Sequence, residues 1–288
     1  MAFLIGSCAS DRNQKKKEAD LENFEISADI LDDISTAKKI FYSLPSPLET
    51  AMIIKSAGAD YDERLMNPTG NVNNYTTNRS MALNLGVYTT DMSFASLFDQ
   101  TQVTINYMNV SKKLADDLGI IEAIDDEVIK RLEANVNNRE VIMDIISETF
   151  MSSSAYLKDN NREAVATISL VGGWIEGLYI ATQLVTEANY KDSKLVDRIV
   201  EQKLSFDILE KLLEQHAEDE DIQSLSAQLS DLREVFGNIK VRSTPVTAEK
   251  DDATDVTELK SQIEVEFTPE VFYELKETVK NLRSNFIL

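Results

Sequence analysis

The sequence predicts an all-α protein, an irregular multi-helix bundle of about ten helices. Only 9 glycines and 5 prolines occur among 288 residues, so the residues that interrupt helices are few. Apolar residues recur at steps of three and four positions, which places them on one helix face, and the alternating pattern of strands is scarce. Consecutive helical pairs also suit a helical-repeat array, which stays open as the alternative; the lack of an obvious fixed repeat period favours the bundle.

Apolar seams and capping signals place the individual helices. Ser46, Pro47 and Glu49 form a capping box with proline at the first helical position, and Thr268 with Pro269 begins the last helix in the same way. The clearest seams run through Leu195, Ile199, Phe206, Leu209 and Leu213, then Ile222, Leu225, Leu229, Leu232 and Phe236, then Phe272, Leu275, Val279, Leu282 and Phe286. Together these patterns predict helices at 34–43, 47–57, 74–85, 90–117, 121–135, 138–158, 163–188, 193–216, 220–236 and 269–286.

Composition divides the chain into a short leader, a tether and one domain. Residues 1–7 are expected to be the residual part of a signal peptide, and the polar residues 8–25 suit a flexible tether. Residues 26–288 are expected to form a single helical domain. Within it, the segments 59–73 and about 239–267 are predicted to be irregular, and the second is rich in Thr, Asp, Glu and Lys.

The only cysteine, Cys8, lies in a string that resembles a bacterial lipobox. A branched apolar residue, Ile5, stands three positions before it, and the small residues Gly6 and Ser7 precede it directly. A signal peptidase needs small side chains at the scissile bond, and the cysteine thiol takes a diacylglycerol before cleavage. We therefore expect Cys8 to anchor a lipoprotein in the bacterial cell envelope, on the periplasmic or surface side. The alternative is a lone cysteine near the terminus of a cytosolic protein.

The chain is strongly acidic, with a formal charge of -21 from 50 acidic and 29 basic residues. The phosphate backbone of a nucleic acid would be repelled, so nucleic acid is not expected as a partner. Anionic lipid headgroups would be repelled too, so any membrane attachment has to be covalent, through acyl chains on Cys8. No run of about 20 apolar residues predicts a membrane span.

The segment 171–180 is the most unusual internal string, because it places three glycines inside a helical pattern. Gly173 and Gly177 are four residues apart and share one face, which lets another helix approach closely. Trp174 and other apolar residues surround the helix on all sides, so it is predicted to be central and buried. Glu176 then needs a partner; it is either an acid with a raised pKa in a pocket or a structural hydrogen-bonding group, and we favour the structural role.

A second marked string covers residues 83–93. Gly86 is predicted to break the chain between two helices, and Asp91, or a neighbouring threonine, to cap the second helix. The alternative is that Asp91 orients a polar ligand. With this alternative in view, Tyr88, Asp91, Trp174 and Glu176 are the candidate contacts for a ligand or partner.

No recognisable catalytic or cofactor motif is present. His216 is the only histidine, which excludes sites built from several histidines, and the acidic runs lack the spacing of a calcium loop. The sequence has no phosphate-binding glycine loop, nucleophile elbow or zinc spacing. We therefore predict no catalytic residue, no metal site and no cofactor.

Four strings carry a resemblance to a known group of proteins. They read Leu-Pro-Ser-Pro-Leu-Glu at 44–49, Asn-Leu-Gly-Val-Tyr at 84–88, Lys-Lys-Leu-Ala-Asp at 112–116 and Gly-Gly-Trp-Ile-Glu-Gly at 172–177. With them the chain resembles a group of all-helical lipoproteins of Bacteroidetes to which no activity is assigned. The resemblance implies an envelope location and a helical fold, and it transfers no functional residue.

These observations lead to one functional hypothesis with two alternatives. We expect a lipid-anchored, non-enzymatic envelope protein that binds an unidentified protein partner or small ligand. The first alternative is an envelope enzyme using carboxylate acid/base chemistry through Glu176 and Asp91, and the second is a structural or stress-related envelope protein. Two carboxylates facing each other across a cleft would favour the enzyme, and an open apolar groove would favour binding.

Overall fold

Helices make up most of the chain, as the sequence predicts. The computed structural model describes residues 47–120, 126–135, 138–243, 247–251, 256–260 and 263–288. These ranges contain ten α-helices: α1 (Pro47–Ser56), α2 (Asn78–Leu97), α3 (Thr101–Asp117), α4 (Asp126–Ala134), α5 (Arg139–Asp159), α6 (Glu163–Leu184), α7 (Lys194–Glu214), α8 (Glu220–Gln228), α9 (Ser230–Asn238) and α10 (Pro269–Ile287). The all-α multi-helix bundle is thereby confirmed, and residues Ser43–Leu288 belong to one compact unit.

Helix α6 is the central element of the bundle. Its side chains are buried on every side, among them Ile168, Val171, Ile175 and Ile180, as predicted from the apolar pattern around the helix. The helix is long and apolar enough to cross a membrane, but 78% of its most apolar window is buried inside the protein. Its hydrophobicity is therefore accounted for by its place in the core.

Helix α2 packs against α6 at backbone distance. A methyl group at Gly86 would overlap the carbonyl oxygen of Ser169, and one at Gly172 would overlap the carbonyl oxygen of Leu83. The Thr90 hydroxyl donates a hydrogen bond to the carbonyl of Gly173, at 3.1 Å. Glycine is needed here because only a helix without a Cβ lets another backbone come this close.

The predicted break at Gly86 is wrong, and so is the predicted cap at Asp91. Helix α2 is continuous across both residues and begins with a capping box between Thr77 and Ser80. The chain turns only after Leu97, where Asp99 adopts a positive φ of 58°. Gly86 serves close helix packing rather than a turn, and Asp91 lies buried in the helix interior.

The glycines of α6 contact two different helices. Gly173 faces α2, whereas a methyl group at Gly177 would overlap the side chain of Thr50 in α1. The predicted common face for one neighbouring helix is therefore wrong, although both glycines are buried as predicted. A third glycine, Gly172, faces the backbone of α2 at Leu83.

The segment predicted to be irregular at about 239–267 contains strands. Strand β1 (Lys240–Ser243) pairs antiparallel with β4 (Ile263–Glu266), and β2 (Thr247–Asp251) pairs antiparallel with β3 (Val256–Lys260). The stretch 263–266 alternates apolar and charged residues with strand period, a signal that the charged composition of the segment obscures.

Other boundaries differ by short distances. The predicted helix at 220–236 is two helices that meet at Leu229, and the irregular segment 59–73 includes two short 3₁₀ helices, Glu63–Leu65 and Thr69–Asn74. Thr268 caps α10 as predicted. The predicted helix at 34–43, the tether, the leader and Cys8 lie outside the described residues.

Candidate functional site

A buried ion pair joins the central helix to the last one. The Nε and Nη2 atoms of Arg283, in α10, donate hydrogen bonds of 2.8 and 2.9 Å to the two carboxylate oxygens of Glu176, in α6. Glu176 is fully buried and Arg283 is 6% exposed. The guanidinium also lies over the ring of Tyr179 and donates to the carbonyl of Leu65. Glu176 therefore has the donor that its burial requires.

The ion pair keeps the arginine charged despite its burial. Burial alone would lower the pKa of Arg283, but the charge and the hydrogen bonds of Glu176 outweigh it and raise that pKa. Two parallel hydrogen bonds of this kind are stronger than neutral ones and fix the relative orientation of the two helices.

Asp91 of α2 is the second carboxyl in this cluster. Burial raises its pKa well above the usual value, and the neighbouring charge of Glu176 raises it further, whereas Arg283 lowers it. Its Oδ2 accepts a hydrogen bond of 3.0 Å from the backbone N–H of Asn67. Its Oδ1 lacks an ordinary donor among the described residues, as expected for a neutral carboxyl whose own proton goes to Glu176. One proton on Asp91 leaves the cluster electrically neutral.

Asn67 connects this cluster to the surrounding tyrosines. Its side-chain amide donates to the Tyr75 hydroxyl at 2.9 Å and to the side chain of Asn84 at 3.2 Å, and its carbonyl accepts from the Tyr107 hydroxyl at 2.8 Å. Asn84 in turn donates to the carbonyl of Phe286 in α10. The network ties the loop before α2 to α2, α3 and α10. The sequence does not predict this role of Asn67, because an asparagine beside a proline in a loop is typical only of a turn.

The four candidate contacts do not form one site. Asp91 lies near Glu176, and Tyr88 lies near Asp91, but both Tyr88 and Asp91 are fully buried. The Tyr88 hydroxyl donates to the carbonyl of Pro68, and burial raises the pKa of Tyr88. Trp174 lies elsewhere: it stacks on Phe206 and its indole N–H donates to Gln202 of α7, at 3.1 Å.

The carboxylates therefore do not face each other across a cleft. Asp91 and Glu176 are brought together, but both are fully buried and enclosed by hydrogen-bonded groups. General acid/base chemistry needs a substrate within hydrogen-bond reach of the titrating group. Here protein groups surround both carboxyls and leave no cleft for a substrate, so the cluster is arranged as a structural unit.

A cavity with apolar walls lies between helices α2 to α6. The volume of the cavity is about 110 Å³. Its walls are largely aliphatic and are lined by Leu85, Met92, Met108, Ile120, Leu132, Ile146 and Leu157. Small side chains, namely Ser153, Ala166 and Ser169, leave the space between these helices open. Several lining residues are partly exposed, so the cavity opens to solvent.

Two polar residues of α3 distinguish this cavity. Ser111 is 9% exposed, and its hydroxyl has no hydrogen-bond partner within the part of the chain that the structure describes. Lys112 follows it, lines the same cavity and is exposed. The hydroxyls of Thr89 and Thr149, by contrast, are satisfied by carbonyls of their own helices.

No sequence pattern predicts this cavity. Its walls come from five consecutive helices, and only their packing against one another creates it. One partial signal exists in the run of serines at 152–154, on a helix that is otherwise rich in apolar residues.

Metal binding finds no support in the ranges that the structure describes. No group of three or more His, Cys, Asp or Glu side chains there is arranged to hold a metal ion.

No protein-family model, curated protein or solved structure matches the chain.

Proposed function

We propose that this protein is a non-enzymatic binding protein of the bacterial cell envelope. Acyl chains on Cys8 would hold it to the membrane, and the cavity among the five helices α2 to α6 would receive a small apolar ligand. The single observation that carries the binding role is the cavity itself: it is open, its walls are aliphatic, and it contains an unpartnered buried hydroxyl. Small-molecule sites typically combine apolar walls with a few placed polar groups.

The alternative of an acid/base enzyme is less well supported. Its only carboxyl candidates, Asp91 and Glu176, are closed into the core, and Glu176 is held by Arg283. A purely structural role would give no reason for an open space between helices, since interiors pack closely and voids reduce stability.

The envelope location rests on the sequence. The string before Cys8 has the pattern of a lipobox, and the polar residues that follow would act as a tether. Because the chain carries a charge of -21, it would be repelled by anionic headgroups, so a covalent anchor is the attachment that its charge permits.

The binding role is tested with a fluorescent apolar probe, N-phenyl-1-naphthylamine, which brightens in apolar surroundings. The unlipidated full-length chain should bind the probe saturably. The variant Ser153→Phe fills the cavity from α5 and should weaken binding by about tenfold or more, which corresponds to about 1.4 kcal/mol.

The matched control is Ser152→Phe, at the neighbouring serine. Ser152 is exposed and does not line the cavity, so the same side chain there should leave probe affinity unchanged. Binding that is not saturable, or that is equal in the two variants, contradicts the proposal.

A further inference from the structure

We propose that the cavity takes a single-chain monocarboxylate, with its alkyl chain against the aliphatic walls and its carboxylate beside Lys112 and Ser111. This inference rests on the proposed function and adds the chemical class of the ligand to it.

The walls favour an unbranched hydrocarbon over a polar ligand. Met92 and Met108 contribute flexible, unbranched side chains that adapt to different chain positions. Leu85, Ile120 and Leu132 add aliphatic surface, and none of the lining residues that the structure describes has an aromatic ring that would stack on a planar ligand. Burial of the alkyl chain removes apolar surface from water, which supplies affinity without directional contacts.

The charge at the cavity favours an anionic head. Among the described residues that line the cavity, Lys112 alone carries a formal charge. It makes no ion pair within the described ranges, whereas its neighbour Lys113 pairs with Asp117. A lone cation at the mouth of an apolar cavity complements an anion at the end of an apolar chain. The chain as a whole, with a formal charge of -21, would attract a cation instead, so the preference of the cavity for an anion opposes the overall charge.

The hydroxyl of Ser111 supplies the second contact. A buried polar group without a hydrogen bond costs free energy, so its Oγ requires an acceptor or donor that the described residues do not provide. A carboxylate is acceptor-only and takes up the hydroxyl proton while its other oxygen faces the ammonium of Lys112. An alkyl alcohol can satisfy Ser111 but gains nothing from Lys112.

Competition against bound N-phenyl-1-naphthylamine tests this assignment on the unlipidated full-length chain. Dodecanoate, dodecan-1-ol and dodecyltrimethylammonium share one chain length and differ in head charge, and each is used below its critical micelle concentration. Dodecanoate should displace the probe at a concentration about tenfold lower than the cation does. Its affinity should fall as salt is raised, because the contact to Lys112 is near the surface.

Variants of α3 identify the head contacts. Lys112→Gln should weaken dodecanoate by about three- to fivefold and leave dodecan-1-ol unchanged, in line with a partly exposed charge pair. Lys112→Glu should remove the preference for the anion over the cation. Ser111→Ala should weaken dodecanoate by about fivefold. Lys113→Gln, beside the cavity residue but outside the cavity, is the control and should change none of these affinities.

The outcomes separate this inference from the proposed function. Equal displacement by all three amphiphiles, or equal loss for the acid and the alcohol in Lys112→Gln, overturns the carboxylate assignment and leaves an apolar binding site. If none of the three amphiphiles displaces the probe, the carboxylate assignment is overturned. If Ser153→Phe also binds the probe as tightly as wild type does, the proposed function is overturned as well.

Discussion

Arg283 donates two hydrogen bonds to the carboxylate of Glu176, which lies 107 residues earlier in the chain. This contact fixes α10 against the central helix, with Glu176 fully buried and Arg283 6% exposed. Removing one partner of such a pair leaves a buried charge uncompensated, whereas replacing both partners by apolar groups removes the problem. The stability of the bundle should therefore depend on the pair as a unit.

Glu176→Gln keeps the shape of the side chain and removes its charge. We expect the free energy of unfolding to fall by about 3–5 kcal/mol at a pH where Asp91 is protonated, because the guanidinium of Arg283 then stays buried without a counter-ion. Denaturant unfolding checks this, and the double variant Glu176→Met/Arg283→Met should lose less than the two single Met variants summed.

The control for that measurement is the exposed pair of Arg198 and Glu201 in α7. Glu201→Gln should leave the denaturation midpoint unchanged, because a solvent-exposed pair contributes little. A midpoint equally unaffected by Glu176→Gln would show that the buried pair does not stabilise the fold.

Asp91 should make stability fall as the pH rises. Its folded-state pKa is raised above the usual 3.8, so between 3.8 and the folded pKa the native state binds more protons than the unfolded state. Over this window, the free energy of unfolding of wild type should fall relative to that of Asp91→Asn by about 1.4 kcal/mol for each pH unit. Denaturant unfolding from pH 4 to pH 8 measures it.

The amide of Asp91→Asn mimics the neutral carboxyl, because it still accepts from Asn67 and can donate to Glu176. At pH 7 the variant should therefore be at least as stable as wild type. Asp207→Asn, at an exposed aspartate of α7, serves as the control. If wild type becomes more stable relative to the Asp91→Asn variant as the pH rises, this result would contradict a neutral Asp91.

The close packing of α2 on α6 should not tolerate a methyl group. Gly86→Ala and Gly172→Ala each push a Cβ into a backbone carbonyl, so each should cost about 1–3 kcal/mol or more despite the better helix propensity of alanine. Gly237→Ala is the control, since a Cβ there meets open space and should be neutral or stabilising by up to about 1 kcal/mol. Thermal unfolding that ranks Gly86→Ala with Gly237→Ala would refute the close approach.

Lipidation of Cys8 predicts a membrane-bound protein. Expressed behind a complete upstream signal, the protein should partition into the detergent phase, and Cys8→Ala should move it to the aqueous phase. Ser7→Ala keeps a small residue before the cysteine and should partition like wild type. Partitioning that Cys8→Ala leaves unchanged would remove the anchor from this account.

The helical fold could be predicted because its signals are local. Seams at three- and four-residue steps and the cap at Thr268 act within one helix, and the apolar surroundings of Glu176 predicted its burial. The identity of its partner could not be predicted: tyrosines, backbone amides and lysines were the expected donors, and the actual donor, Arg283, is brought there only by the packing of α10 on α6.

Gly86 shows why local signals do not predict the features that depend on packing between helices. Helix propensity alone predicts that a glycine between two apolar stretches ends a helix. Here, however, glycine is required because the backbone of another helix packs closely against it. The cavity is a stronger case, because Ser111 and Ser153 acquire their significance only from helices that the sequence does not place side by side.

The most direct test of the binding role uses the methionine methyl groups as reporters. The chain has 8 methionines, and Met92 and Met108 line the cavity, whereas Met52 and Met151 are exposed elsewhere. With ¹³C-methyl methionine in the full-length chain, titration with dodecanoate should shift the Met92 and Met108 resonances along one saturable curve. The Met52 and Met151 resonances should stay in place. Shifts confined to Met52 and Met151, or no saturable shift at Met92 and Met108, would contradict a ligand site in the cavity among helices α2 to α6.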